Sequence, residues 1–376
     1  MESWILDFDR RRDFSAVGFR SACYAPFVSM NFTPWGTVQV CCENSDYIIG
    51  NVAEDTLMDL WNGPAINQIR SHLVRYEYGM GCEGCARLAR MGAYPYSFHY
   101  EPANAPTLVP KWPYIMEFRL TNDCNFACIM CSGSYSSQIR AKRDKLPPLP
   151  RAYGDRFFEE LEEFVPHLRH TVFAGGEPLI IPEHFRVWDI MLRTNPKCTV
   201  TISTNGSVVS GKALDYMQQL HVNHLDVSVD GATKKTFEAI RPRSCFEKVM
   251  ANLGPLSKIP KRINDIFSLT LCAMPQNFFE IKDIFLLAEE YGAHVYINLV
   301  RVPNSCSLAS LAPKELETVF RTLDSDFSSI APTLSPFNKE RFLELLSAVK
   351  HMRAGQNPVG LSAGVPDTPT PAPVLP

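Results

Sequence analysis

Three cysteines, Cys124, Cys128 and Cys131, stand in one short stretch, TNDCNFACIMCSG, with C-x3-C-x2-C spacing. Thiolates this close can wrap around one metal centre, yet three are one fewer than a closed iron-sulfur or zinc site takes. A centre held here keeps one coordination position open, and an open position permits chemistry. A second set lies toward the N-terminus: Cys23, the adjacent Cys41 and Cys42, and the C-x2-C pair Cys82 and Cys85. Neighbours on a strand point to opposite faces, so either Cys41 or Cys42 can join the other three, but not both. A structural zinc knuckle uses the same four ligands and is the competing reading.

The elements around these residues alternate. Apolar or β-branched runs at 114–120, 171–174, 198–204, 224–230, 267–273 and 294–300 read as strands. Helical patterns at 156–165, 182–193, 211–220 and 277–291 fall between them. That order predicts a parallel sheet with crossover helices. The three-cysteine loop follows the first of these strands directly.

The motifs that follow carry a family resemblance. The cysteine spacing resembles that of radical S-adenosylmethionine enzymes, in which three cysteines bind three irons of a [4Fe-4S] cluster and the cofactor chelates the fourth. Gly175, Gly176, Glu177 and Pro178, at the end of TVFAGGEPL, resemble the GGEP element that holds the cofactor's amino group. TISTNG and LDVSVDG resemble two later landmarks, which implies that Ser203, Thr204, Asn205, Ser228 and Asp230 face the cofactor. The resemblance also implies Arg241 as a carboxylate clamp, with a solvated helix residue as the plainer alternative. Met130 stands where many relatives have an aromatic residue against the adenine; a thioether can fill that slot.

The implied fold is α/β: a partial (β/α)6 TIM-type barrel, with its chemistry at the carboxyl ends of the strands. Ahead of it, Cys23, a glycine-turn hairpin running from Gly36 to Cys41, Leu60-Trp61-Asn62 and Cys82-Glu83-Gly84-Cys85 resemble a SPASM/twitch module in an N-terminal position. The glycine spacing favours Cys41 over Cys42. The resemblance implies one auxiliary [4Fe-4S] cluster on Cys23, Cys41, Cys82 and Cys85. The expected organisation is a separate cysteine-rich unit over 1–90, a linker over 91–113, the barrel over 114–303, helices packing on it over 304–356, and a disordered tail over 357–376, which holds six prolines. The lone Cys198, Cys245, Cys272 and Cys306 read as small buried hydrophobes. Cys272, near the end of the fifth barrel strand, and Cys306, just past the sixth, are also candidate hydrogen-atom donors.

Composition sets limits on partners. The 376 residues are 45% hydrophobic, enough for a large core, with a formal charge of -3 and a pI near 6.3. That balance carries no electrostatic footprint for nucleic acid. Residues 1–22 have no apolar h-region, and no apolar run is long enough to span a bilayer. The expectation is a cytoplasmic enzyme with no membrane partner, where twelve cysteines point to metal rather than disulfides. The implied partners are an external one-electron reductant such as flavodoxin or ferredoxin, and a small molecule or a peptide bound directly in the barrel mouth.

Overall fold

A computed structural model describes residues 3–12, 18–91, 110–209 and 211–355. Most of the expected linker and all of the expected proline-rich tail lie outside the described residues. Nine strands form one sheet among the described residues: β1 (Ser29–Phe32), β2 (Thr37–Gln39), β3 (Gly50–Asn51), β4 (Ile115–Phe118), β5 (His170–Phe173), β6 (Thr199–Thr204), β7 (His221–Ser228), β8 (Ile266–Ala273) and β9 (His294–Leu299). Their order across the sheet is β3-β2-β1-β4-β5-β6-β7-β8-β9. From β4 to β9 every neighbour is parallel and in chain order, which is the expected six-strand run, open rather than closed.

The N-terminal unit is not set apart, as its sequence suggested. β1 pairs in parallel with β4, bringing Asn31 opposite Glu117 and Phe32 opposite Phe118. Phe32, Phe118 and Phe173 are all fully buried, and their rings stack across three adjacent strands at 5.5 and 5.2 Å. Each such contact adds about 0.5–1.5 kcal/mol beyond the area buried. Phe157, from the helix Asp155–Phe164, meets Phe32 edge-on at 5.4 Å. The same helix caps the N-terminal unit, because Glu160 accepts from Leu57 N at 2.7 Å.

Alternation on the strands divides the sheet's two faces. Met116 and Phe118, Val200 and Ile202, Leu225 and Val227, Leu269 and Leu271, and Val295 and Ile297 are buried on one face. The crossover helices, such as Pro182–Thr194 and Ile281–Glu290, bring their own buried residues to the same core. The other face carries Glu117, Thr201, Ser203, His224, Asp226, Ser268, Thr270 and Tyr296. The helices Pro313–Ile330 and Pro336–Arg353 pack against each other, the first also against the helix Ile281–Glu290 and the second against β9. No helix among the described residues is long and apolar enough to cross a membrane.

Candidate active site

The three-cysteine loop leaves the carboxyl end of β4 and is held by its own backbone. Asn122 Nδ2 donates to Gly133 O at 2.8 Å, Ser136 Oγ to Phe126 O at 2.8 Å and Ser137 N to Asn122 O at 2.7 Å. Cys124, Cys128 and Cys131 are all half-buried. Burial, with Glu177 and Cys128 adding to it, pushes the Cys124 thiol up to about 12, and burial raises Cys128 as well. A cation bound at the sulfurs would take the place of the proton and favour the thiolates.

The GGEP loop lies directly on the cysteine loop. Gly175 has φ +106°, a left-handed value that suits glycine, and a side chain on Gly176 would overlap the carbonyl oxygen of Asp123. That contact lets Glu177 N donate to Asp123 O at 2.7 Å. The Glu177 carboxylate is fully buried and already engaged: Thr204 Oγ1 donates to it at 2.6 Å, Asn205 N at 2.7 Å and Leu179 N at 3.1 Å. Its first task is therefore to tie the ends of β5 and β6 together beneath the cysteine loop. Burial raises its pKa against these donors. Pro178 opens a short 3-10 turn and is buried behind it.

The remaining candidates divide by orientation. Ser203 and Ser228 are half-buried on the polar face, whereas Thr204 is buried on Glu177. Asn205 Nδ2 donates to Asn125 Oδ1 at 2.9 Å, which links the end of β6 to the cysteine loop. Asp230 is fully buried: its Oδ1 accepts from Cys272 N at 2.7 Å and its Oδ2 pairs with Arg241 Nη2 at 2.6 Å. Arg241 is only 6% exposed, so the solvated-helix reading fails. Its Nη1 lies 3.8 Å from the Cys128 sulfur. Met130 and Ile129 pack on Ile240, Met274 and Cys306 in a small apolar cluster that also takes Cys272. Cys272 is within electrostatic reach of Cys128 and Cys131, and burial raises its thiol strongly. Both candidate donors thus border the cysteine loop. Cys198 is buried as expected, but Cys245 is exposed, near Glu247 at the start of a helix.

In the N-terminal unit, Cys41 is buried, which raises its thiol strongly, and the thiols of Cys42, Cys23, Cys82 and Cys85 all add to that. Asn44 Nδ2 donates to the Cys82 sulfur at 3.4 Å. Neither cysteine set brings three sulfurs within 4.8 Å of one another among the described residues. A tetrahedral zinc, with Zn–S bonds of about 2.3 Å, holds its sulfurs only about 3.8 Å apart. Among the described residues neither set is thus a ready-made single-ion zinc site. Arg241 Nε is buried with no acceptor, which fits an anionic group bound beside it.

Several polar residues of the inner face escaped the sequence reading. Asp226 Oδ1 accepts from Ser268 Oγ at 2.7 Å and from Thr270 Oγ1 at 2.6 Å, and His224 Nε2 lies 2.8 Å from Ser268 Oγ. Burial pushes His170 down to about 4, with His224 adding to the effect, so this wall carries a neutral imidazole at neutral pH. The signal was available: His224, Asp226, Ser228 and Asp230 alternate with apolar residues along one strand, and the polar set must face away from the helices.

A model of the radical SAM superfamily matches residues 118–288, and a model of the iron-sulfur cluster-binding domain SPASM matches residues 23–86. The first goes with S-adenosylmethionine and a [4Fe-4S] cluster, the second with auxiliary iron-sulfur. Among curated proteins the chain is similar to an AdoMet-dependent heme synthase of Methanosarcina barkeri, 28% identical over 199 residues, covering 51% of this chain and 51% of the relative. It is also similar to the mycofactocin maturase MftC of Mycobacterium tuberculosis, 26% identical over 192 residues, covering 50% of this chain and 45% of the relative. The chain spans about half the length of these curated relatives. The solved structure of native anSMEcpe with bound AdoMet aligns with 58% of this chain and 62% of its own, at 16% identity and a TM-score of 0.43. The chain thus carries a radical SAM domain over residues 118–288 and, ahead of it, a SPASM-type iron-sulfur cluster-binding domain over residues 23–86.

Proposed function

We propose that this protein is a radical S-adenosylmethionine oxidoreductase acting on a small metabolite or a peptide held against the polar inner face of the sheet. The observation that carries the reading is the loop of Cys124, Cys128 and Cys131, three half-buried free thiols in one turn of chain braced by the Gly175–Gly176 turn. When bound there, S-adenosylmethionine supplies, on one-electron reduction, a 5′-deoxyadenosyl radical that removes a hydrogen atom from an unactivated carbon. The chain's own part is to bind, orient and exclude water. Gly175 and Gly176 bring backbone close enough to meet the cofactor's amino group, with Pro178 behind the turn. Asn205, Ser203 and Ser228 offer hydrogen bonds toward its ribose and carboxylate, and Met130 an apolar surface for the adenine. Asp226, Thr270 and Tyr296 line the wall available to the substrate.

Cys23, Cys41, Cys82 and Cys85 number enough to occupy every iron of an auxiliary [4Fe-4S] cluster, a closed set suited to carrying electrons. The favoured net reaction is therefore an oxidation that removes two hydrogens from the substrate. The reductant is an external one-electron protein such as flavodoxin or ferredoxin, in the cytoplasm, with neither nucleic acid nor membrane as partner. The similarity to a heme synthase and to a mycofactocin maturase is compatible with either substrate size.

A second outcome, epimerisation, is favoured by one specific observation: Cys272 and Cys306 both border the cysteine loop and could return a hydrogen atom. The test begins with anaerobic protein, dithionite and S-adenosylmethionine, which should yield 5′-deoxyadenosine, with none from the Cys124/Cys128/Cys131→Ala variant. Equal yield from that variant would end the reading. Product mass then separates the outcomes: loss of two hydrogens supports oxidation, and unchanged mass with one deuterium from heavy water supports a thiol donor.

A further inference from the structure

We propose that Arg241 is a positioning residue for the three-cysteine centre: its guanidinium donates to the Cys128 sulfur and raises the reduction potential of the cluster that this loop would hold. The proposal rests on the radical SAM reading of the loop. It concerns the cluster itself, whereas the clamp expected from sequence concerns the cofactor's carboxylate.

The segment carrying Arg241 is laid along the cysteine loop by the backbone. Ala127 N donates to Pro242 O at 3.0 Å and Ile129 N to Ile240 O at 2.9 Å, so Cys128 and Arg241 are each flanked by the same two bonds. Arg243 Nε adds a third link, to Asn125 O at 3.3 Å. The helix Lys234–Ile240 that delivers Arg241 is anchored at its start by the buried Glu280, which accepts from Ala232 N at 2.8 Å, Thr233 N at 3.0 Å and Thr233 Oγ1 at 2.7 Å. At the other side Asp230, itself fixed by Cys272 N, holds Nη2 at 2.6 Å and leaves Nη1 toward Cys128 Sγ at 3.8 Å.

The electrostatic consequence follows from charge. Each electron added to an iron-sulfur cluster makes it more negative, so a hydrogen-bond donor at a ligand sulfur stabilises the reduced form more than the oxidised one. Arg241 is 6% exposed, and the low local dielectric strengthens the effect. A guanidinium does not lose its proton in the working pH range, so the bias is permanent. Asp230 tempers it, and the buried pair acts as a dipole with its positive end on the sulfur.

The test is spectroelectrochemistry of anaerobically reconstituted protein, read on the electron paramagnetic resonance signal that changes when S-adenosylmethionine is added. Iron content and cofactor affinity are measured alongside. Arg241→Gln should move the midpoint to a more negative value with iron content retained, Arg241→Lys should fall between it and the parent, and Asp230→Asn should move it to a more positive value. Should Arg241→Gln fail to hold iron, Arg241→Lys and Asp230→Asn, which both keep a cation, decide the matter by the signs of their shifts. Midpoints unchanged in every iron-holding variant overturn the proposal. If they are unchanged while S-adenosylmethionine binds about tenfold more weakly, a difference of about 1.4 kcal/mol, Arg241 is a cofactor clamp instead. A parent protein with no cofactor-sensitive signal counts against the radical SAM reading, an outcome distinct from any shift among the variants.

Discussion

Gly176 packs without a side chain onto the backbone carbonyl of Asp123, and the same carbonyl accepts from Glu177 N at 2.7 Å. This single contact sets the loop after β5 against the loop that carries the three cysteines. Any side chain at 176 must push the two loops apart. Gly176→Ala should destabilise the protein by about 1–3 kcal/mol, as overpacking does elsewhere, and should lower the iron retained after anaerobic reconstitution. Thermal unfolding and an iron assay on the same sample check it, and a variant that matches the parent in both would show that the loops are not in contact.

The two cysteine sets should titrate independently in an iron assay. The intact chain should bind about eight irons and the Cys124/Cys128/Cys131→Ala variant about four, the latter held by the N-terminal cysteines. Replacing Cys82 and Cys85 by Ala should remove the complementary half. Zinc recovered in place of iron after anaerobic loading would favour the knuckle over the cluster.

Glu177 accepts from one hydroxyl and two backbone amides, all of them donors. A Gln there turns an NH2 group toward at least one of these N–H groups, so Glu177→Gln should cost about 1–3 kcal/mol in stability. A role confined to the cofactor would instead leave the unfolding midpoint unchanged and weaken only S-adenosylmethionine binding. Measuring both quantities separates the two tasks.

Burial alone would raise the Glu280 carboxyl, but donors from Thr236, Thr233 and Ala232 hold it below the usual carboxylate range. Because its folded-state pKa is depressed, its contribution is present above the unfolded value of about 4.3 and is lost as pH falls through the lower folded value. Glu280→Gln should therefore reduce the melting temperature at neutral pH, and the gap from the parent should narrow on acidification below about pH 4. A gap that stays constant with pH would assign the effect to shape rather than charge.

Much of the architecture was legible because its signals are local. Six barrel strands and their crossover helices announced themselves by period, and Cys124, Cys128 and Cys131 by spacing within one loop. The GGEP turn was legible only through its resemblance to a family motif, since a glycine pair alone is an ordinary turn. What stayed hidden depends on pairing between distant segments. The joining of β1 to β4 makes the cysteine-rich unit an extension of the sheet, and nothing within residues 23–90 states which edge its hairpin will find. The burial of Glu177 under Thr204 and Asn205, 27 and 28 positions away, gives structural partners to a carboxylate that its motif directs at the cofactor. Arg241 carried two readings from sequence, cofactor clamp and solvated helix residue, and only the ladder between 127–129 and 240–242 brings it to Cys128, 113 positions earlier. Periodicity and spacing record what a residue does with its own segment; hydrogen-bond partners and burial are set by which segments meet, and that depends on the packing of the whole sheet.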